Sequence, residues 1–426
     1  MPCTISIAEK TSDSNPFEGF RSDLRTQCLI AAGLSALFFT IYYQLGRAFT
    51  EILGYYDYGS IFFGVDHLDA IRGWVKYHKG THPLILLFVV PAGWLLNLLF
   101  GSYETGVAVF GAAAGGVSVA AVYLALRLLS GRTSVALPAS VFFGVSMSQL
   151  IMGPLADTYT LATISLIPTY VLTLWCLRTK RVRLPPWTAA GILSFAVTIT
   201  STIQTGLCLG VVHVAAQGRR GLLRRLAAFS AVVLAAGLSL SLVQKLVIRD
   251  AELFFMPGVY EHEMGYTSRV ALERPALAAR EIGRNFLFYA FVGDEPRATI
   301  LEWERRLKMD YFECPLGYRA IGWCAAALWI ALLLFGLYLG AMRPDSRLFT
   351  AAAALSLAAN AGIHAIYGTQ EIFLYTPHFA FLMLFLCLNE DSARGRWVPA
   401  AWWLLAGLTG ANNLWVVRDF LDRYAG

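Results

Sequence analysis

The sequence predicts an all-α polytopic membrane protein: a transmembrane helical bundle with an interfacial helix in its first outer loop and a larger outer-face insertion. Three observations predict it. Of the 426 residues 57% are hydrophobic and 15% charged, against roughly 25% charged in an ordinary soluble domain, and the mean hydropathy is +0.56. Apolar stretches of the about 17–25 residues that cross a bilayer recur along the chain. Arginines and lysines gather at the ends of those stretches, as the positive-inside rule expects of cytoplasmic loops. A soluble enzyme is thereby excluded. A nucleic-acid partner is not expected either, because the +6 net charge forms no basic stripe with interleaved aromatics.

Residues 1–27, with Lys10, Arg21 and Arg25, read as a cytoplasmic tail. The first span, about 28–44, reads as a signal anchor, since about two dozen polar residues precede it and no small-residue cleavage site follows. A polar, aromatic outer loop covers 46–82. Apolar runs come next at about 83–100, 105–126, 135–152 and 158–177, the last ending in Arg178, Lys180, Arg181 and Arg183 with no acid among them. Between this cluster and a second (Arg219, Arg220, Arg224, Arg225) lies one apolar stretch, 186–217, interrupted by TITSTIQT at 198–205. If both clusters are cytoplasmic, the stretch enters and returns as two short helices; one long tilted helix is the alternative. Broken helices persist at membrane depth only where protein or a cavity satisfies the freed backbone groups, so the polar tip is a candidate cavity wall. The same charge rule makes 83–100, which contains Pro91 and Asn97, a re-entrant or shallow segment. A span at 226–247 completes an N-terminal membrane module, 28–247. An outer-face insertion, 248–318, follows, and then C-terminal transmembrane helices, 319–426, with spans at about 320–342, 348–367, 377–388 and 398–417.

On this topology Asp57, Asp66, Asp69, Asp157 and Glu371 face outward, and the histidines share the bias. A transporter pathway calls for ionisable groups inside the spans, and the spans are nearly free of acids, so chemistry is expected at the outer surface. Residues 65–77 suit a short interfacial helix, with Leu68, Ile71 and Trp74 toward lipid and Asp66, Asp69 and Arg72 away from it. Asp66 and Asp69, three apart, share a helix face. Partial burial raises a carboxyl pKa and prepares it to accept a proton as a general base. The alternative is that both acids solvate the helix, Asp69 pairing with Arg72.

Lys76, His78, Lys79 and His82 follow at headgroup level, where cations hold phosphate or form a snorkelling rim. Asp57 and Asp157 are further candidates for substrate contact, although a carboxylate in GPLADTYTLA also caps a helix N-terminus. In YGTQEIFLYTPHFAFL, Glu371, Tyr375 and His378 stand where two span ends meet, as binding groups or as interfacial anchors. The insertion's aromatics (Tyr260, Tyr266, Phe286, Tyr289, Trp303, Tyr311) suit a sugar-binding lid or a loop packed on the membrane body. The seven cysteines show no CxxC spacing, and no ligand cluster is spaced for a metal, so neither metal nor cofactor is expected.

The order of these features over about residues 25–225 resembles the GT-C glycosyltransferases, integral membrane enzymes that use polyprenyl-phosphate-linked sugars. A cytoplasmic N-terminus, one span, an acid on an interfacial helix in the first outer loop, and the His82-Pro83-Leu84 step back into the membrane carry the likeness, with the Asp157 motif and the broken pair at TITSTIQT. Leu84 stands where the family has a second proline, Asp66-His67 where it has Asp-Glu, and no large soluble domain follows.

The resemblance implies that Asp66 deprotonates an acceptor hydroxyl, that Lys76, Lys79 or His82 holds the leaving polyprenyl phosphate, and that the anomeric carbon inverts. The implied partners are a polyprenyl-phosphate-linked sugar, a glycan, lipid or protein acceptor, and membrane lipids. Two other classes stay open. A polysaccharide polymerase or ligase would use arginines of the insertion, such as Arg269, Arg274, Arg280 and Arg284; a lipid or solute transporter would need a polar through-path. Arginine far exceeds lysine, a composition of GC-rich bacteria, which points to a bacterial inner membrane with the active face periplasmic.

Overall fold

The computed structural model describes residues 23–53, 82–248, 251–295, 297–301 and 306–424. The chain runs through α1 (Leu24–Leu53), α2 (Leu86–Phe100), α3 (Tyr103–Ser130), α4 (Thr133–Gly144), α5 (Met147–Met152), α6 (Thr158–Thr179), α7 (Leu184–Val197), α8 (Ser201–Gln217) and α9 (Leu222–Val247). The following segment carries α10 (Pro257–Met264), α11 (Val270–Glu273) and α12 (Pro275–Arg284), which widens into a π-helical turn (Asn285–Tyr289). An antiparallel hairpin of β1 (Arg297–Leu301) and β2 (Arg306–Asp310) comes next. α13 (Ala320–Met342), α14 (Pro344–Ile366), a 3-10 segment (Thr369–His378), α15 (Ala380–Cys387) and α16 (Val398–Tyr424) complete it.

Among the described residues six helices, α1, α3, α6, α9, α13 and α14, are long and apolar enough to cross a membrane, and the 3-10 segment with α15, bent by 60°, has the composition of a broken span. The predicted all-α polytopic bundle is what the chain forms. The first helix reaches Leu53, beyond the expected end at residue 44, because the polar-looking continuation still buries Phe49. The interfacial helix expected at 65–77 lies outside the described residues.

Side-chain bonds gather the loops at two opposite ends. At one, Gln27 Oε1 accepts from Tyr123 Oη (2.5 Å), Arg132 reaches Ala393 O (2.7 Å), and Arg178 bonds both Leu128 O (3.2 Å) and Glu390 (2.6 Å). Arg225 Nη1 donates to Val182 O (3.3 Å), and Arg343 and Arg394 both face Asp391. Both arginine-rich loops therefore lie at this basic end. The stretch between them turns back on itself, with its break at Thr198–Thr200 between α7 and α8.

α2 begins beside the N-terminus of α6 and the C-terminus of α7, since His82 bonds Thr158 and Val197 O and Leu84 N donates to Ala196 O. It ends at the left-handed turn of Gly101 (φ 62°), which leads into the start of α3. Because α3 and α6 both finish at the basic end, both ends of α2 lie at the opposite one. At 15 residues and about 1.5 Å rise per residue it is also too short to cross, which fits the shallow segment expected at 83–100.

The run expected as one span at 135–152 is broken. α4 stops at Gly144, and α5 restarts from Ser146, whose hydroxyl accepts from Gln149 N. Backbone groups freed at membrane depth need protein partners, and two adjacent asparagines of α16 supply them. Asn413 Nδ2 donates to Val145 O (2.9 Å) and Phe291 O (2.7 Å), its Oδ1 accepts from Gly293 N (2.7 Å), and Asn412 donates to Gly293 O (2.8 Å). Met147 N and Ser148 N donate to Phe291 O and Ala290 O.

The segment after α9 is accordingly not only a cover. Its residues 285–293 enter the core: Phe286 stacks on Phe379 at 3.7 Å, Phe291 on Phe142, and Trp329 Nε1 donates to Leu287 O. Of the six aromatics expected to offer a sugar-binding surface, Phe286, Tyr289 and Tyr311 are buried and two of them stack on each other, Tyr289 on Tyr311 at 4.4 Å. Tyr266 packs near Tyr367, while Trp303 and the side chain of Tyr260 lie outside what is described.

The N-terminal helices pack backbone to backbone. A Cβ on Gly116 would stand 2.5 Å from Ser35 O, and one on Gly115 would meet Gly153 O at 2.8 Å. Small residues at such contacts let membrane helices approach where burial of apolar surface gives no net drive.

Candidate functional site

Five elements converge at the end opposite the basic loops: the start of α2, the N-terminus of α6, the α7–α8 break, the C-terminus of α14 and the 3-10 segment. Each contributes through local chemistry. Pro83 turns the chain into α2 and leaves His82 just outside it. Asp157 is the N-cap of α6, its Oδ1 accepting from Tyr159 N (2.9 Å) and so satisfying one of the helix's orphan donors. The β-branched residues Thr198–Thr200 interrupt the α7–α8 pair, and Pro377 lies in the 3-10 segment just ahead of the bend into α15.

His82 is the hub. It is 2% exposed. Its Nδ1 lies 2.5 Å from Val197 O and 3.5 Å from Thr198 Oγ1, and its Nε2 lies 3.1 Å from Thr158 Oγ1. The Thr158 hydroxyl is 3.0 Å from Asp157 Oδ1. On the far side of Thr198, His378 Nε2 approaches Thr198 Oγ1 at 3.3 Å. The ring of Tyr159 stands edge-on to His82, His378 and Tyr375, at 5.9, 5.6 and 5.2 Å between centroids. Tyr375 stacks on His364 at 4.4 Å, and His364 Nδ1 is 3.3 Å from Tyr367 O.

The backbone under His378 is fixed as well. Gln204 Nε2 donates to His378 O (3.2 Å), Thr163 Oγ1 to Pro377 O (2.7 Å), and Thr376 shares a hydroxyl contact with Ser148 at 2.6 Å.

Proton counting limits what this array can do. A carbonyl only accepts, so His82 Nδ1 carries a hydrogen toward Val197 O. Thr158 has one hydroxyl proton and two neighbours, His82 Nε2 and Asp157. With a neutral imidazole the hydroxyl donates to one of them; with an imidazolium, Nε2–H donates to Thr158 and Thr158 donates to the carboxylate. No three histidine, cysteine or carboxylate side chains among the described residues are placed to hold a metal ion.

Of the sequence candidates, His82, Asp157, Tyr375 and His378 meet in this cluster, from positions as far apart as 82 and 378. Glu371 begins the same 3-10 segment and is only partly buried. Asp57, Asp66, Asp69, Lys76, His78 and Lys79 lie outside the described residues, in the stretch that leads directly to His82. The sequence reading singled out the TITSTIQT tip, and Thr198 comes from it. Gln204 comes from the same run. The reading did not single out Thr158 or Tyr159, whose signal is faint: a hydroxyl and a ring among many apolar neighbours. No protein-family model matches the chain, and no curated protein does.

Proposed function

We propose that this multi-pass membrane protein is a glycosyltransferase that moves a sugar from a polyprenyl-phosphate donor to an acceptor at the membrane face carrying the His82 cluster. One observation carries the reading: His82 of the His-Pro step is bonded at once to the start of α6 at Thr158 and to the α7–α8 break at Val197 O. Three separately weak sequence features of the GT-C pattern thereby occupy one place. In the proposed reaction an acceptor oxygen attacks the anomeric carbon, the bond from that carbon to the phosphate oxygen breaks, and the acceptor proton passes to Asp66. The lipid phosphate leaves with the bonding electron pair, and a cation aimed at its growing charge lowers the barrier. Lys76 and Lys79 are placed in that role by resemblance. His82, of the same His-Pro step and beside the Thr158–Asp157 pair, is the described residue nearest to that role by resemblance.

The test is transfer of label from a purified polyprenyl-phosphate sugar, wild type against Asp66→Asn. An amide keeps the carboxylate's size but takes no proton, so turnover is expected to fall by about two to four orders of magnitude with donor binding retained. Asp69→Asn is the control. Transfer that is unaffected by either change removes the proposed base, and no transfer by the wild type removes the reading.

A further inference from the structure

The two arginine-rich loops at the basic end have no part in the His82 cluster, and the fold does something specific with them. The α7–α8 hairpin brings 180–183 and 219–225 together, tied by Arg225 Nη1 to Val182 O at 3.3 Å. Lys180, Arg181, Arg183, Arg219, Arg220 and Arg224 are all exposed there. None of them, nor Arg225, has an ion-pair partner among the described residues. Three other arginines of the same end do: Arg178 pairs with Glu390, and Arg343 and Arg394 share Asp391.

The depth of these cations is set by the helices they flank. α6 ends at Thr179, α7 begins at Leu184, α8 ends at Gln217 and α9 begins at Leu222, so both loops sit where apolar helices leave the hydrocarbon. That is the level of lipid phosphates. Beside the cations Leu223 is 81% exposed and Val232 and Leu234, further along α9, are also exposed, which offers acyl chains an apolar wall under the charged rim.

We propose that the paired loops 180–183 and 219–225 form a binding site for an anionic membrane lipid bearing two phosphates, one phosphate held by each loop and the acyl chains lying along α9. A single-phosphate headgroup engages one loop at a time. Two phosphates on one molecule engage both, and the second contact is intramolecular, which raises affinity without any new kind of bond. Unpaired arginines serve this better than paired ones because no carboxylate must be displaced, and each guanidinium can offer a phosphate two parallel N–H donors.

The experiment uses the full chain in detergent, with lipid adducts counted by native mass spectrometry during titration with cardiolipin, phosphatidylglycerol, phosphatidylcholine or inorganic pyrophosphate. One variant combines R181Q, R183Q, R219Q and R224Q and leaves Arg225 in place to keep the loops tied. A second removes the same number of charges elsewhere at that end with R343Q, R347Q, R394Q and R396Q.

Expected is one cardiolipin retained per chain, bound at least about tenfold more tightly than phosphatidylglycerol, and weakened at least about tenfold in the first variant only. Equal weakening in both variants would mean diffuse attraction and overturn the site. Equal affinity for the one-phosphate lipid would overturn the two-loop clasp, and equal affinity for pyrophosphate would overturn the lipid. A circular-dichroism melt of each variant establishes that both are folded at the temperature of the titration.

Discussion

Replacing His82 by phenylalanine or by asparagine separates two accounts of why this residue is buried. Phenylalanine keeps a ring against Tyr159 and loses both nitrogens. Asparagine loses the ring but can place its amide nitrogen near Nδ1 and still donate to Val197 O. In the phenylalanine variant Val197 O, near the end of α7, is left without its imidazole donor, at about 1–3 kcal/mol for an orphaned buried carbonyl. The contact with Thr158 adds about 1 kcal/mol, for about 2–4 kcal/mol in all. Asparagine gives up the Thr158 contact and the aromatic edge, about 1–2 kcal/mol. For a chain of this size the unfolding entropy of about 2.1 cal/mol/K per residue converts 1 kcal/mol to about 1 °C. Thermal unfolding in detergent at fixed scan rate should therefore show H82F losing about 2–4 °C and H82N about 1–2 °C. Simple apolar packing orders them the other way, so an H82F protein at least as stable as H82N would refute the hydrogen-bonded hub.

Asn413→Leu conserves volume but strips the α4–α5 break of its donor to Val145 O and its acceptor for Gly293 N. A loss of about 2–4 kcal/mol is expected, moderated by the small average value of interhelical hydrogen bonds in membranes, about 0.6 kcal/mol; it is read as the same apparent melting shift. Glu281 is buried between Arg280 and Arg284 and accepts from Glu313 N (3.2 Å). Burial nonetheless holds its carboxyl above the usual range against those favourable partners. The folded state thus binds the proton more tightly than the unfolded chain, and that contribution to stability is full below the ordinary glutamate pKa of about 4.3 and lost as pH rises through the raised folded value. The melting temperature of Glu281→Gln relative to wild type should rise with pH across that window, and a flat difference would count against it. Single cysteines at positions 180 and 220 should label from the same side of an intact membrane, since the tie between Arg225 and Val182 O puts both loops at one end; labelling from opposite sides would contradict the hairpin.

The bundle was largely legible because the quantity that identifies a span, a long apolar run, is a property of contiguous residues. The span at 320–342 agrees with α13 at both ends, and the TITSTIQT interruption marked a real break because threonines and a glutamine have no place in lipid without partners. The break between α4 and α5 was hidden for the opposite reason. Its run, ALPASVFFGVSMSQLIM, carries no charge and, at the break, only the scattered Ser146, Ser148 and Gln149, and the partners that make a break tolerable lie on α16. The insertion misled in a similar way: Phe286, Tyr289 and Tyr311 are the aromatics a sugar lid would use, and burial is decided by long-range packing. At the site, His82, Asp157, Tyr375 and His378 could each be picked out for its chemistry, yet that they adjoin one another follows only from tertiary contacts.

The asparagine clamp bears on the order in which the protein can be made. Val145 emerges 268 residues before Asn413, and at about 5–20 residues per second of synthesis that is an interval of about 15–50 s. Throughout it the carbonyls that later face α16 lack their final donors, and in lipid a backbone group without a partner is costly. A nascent chain that kept residues 133–152 as one continuous helix, its own i to i+4 bonds closed, would avoid that cost. The kink is then a late event, made when residues 290–293 and α16 dock and exchange those local bonds for long-range ones. Since α5 carries Ser148, and Ser148 holds Thr376 just ahead of His378, the cluster around His82 is completed only after this exchange. On that order a partly synthesised chain spans the membrane before the cluster around His82 is assembled.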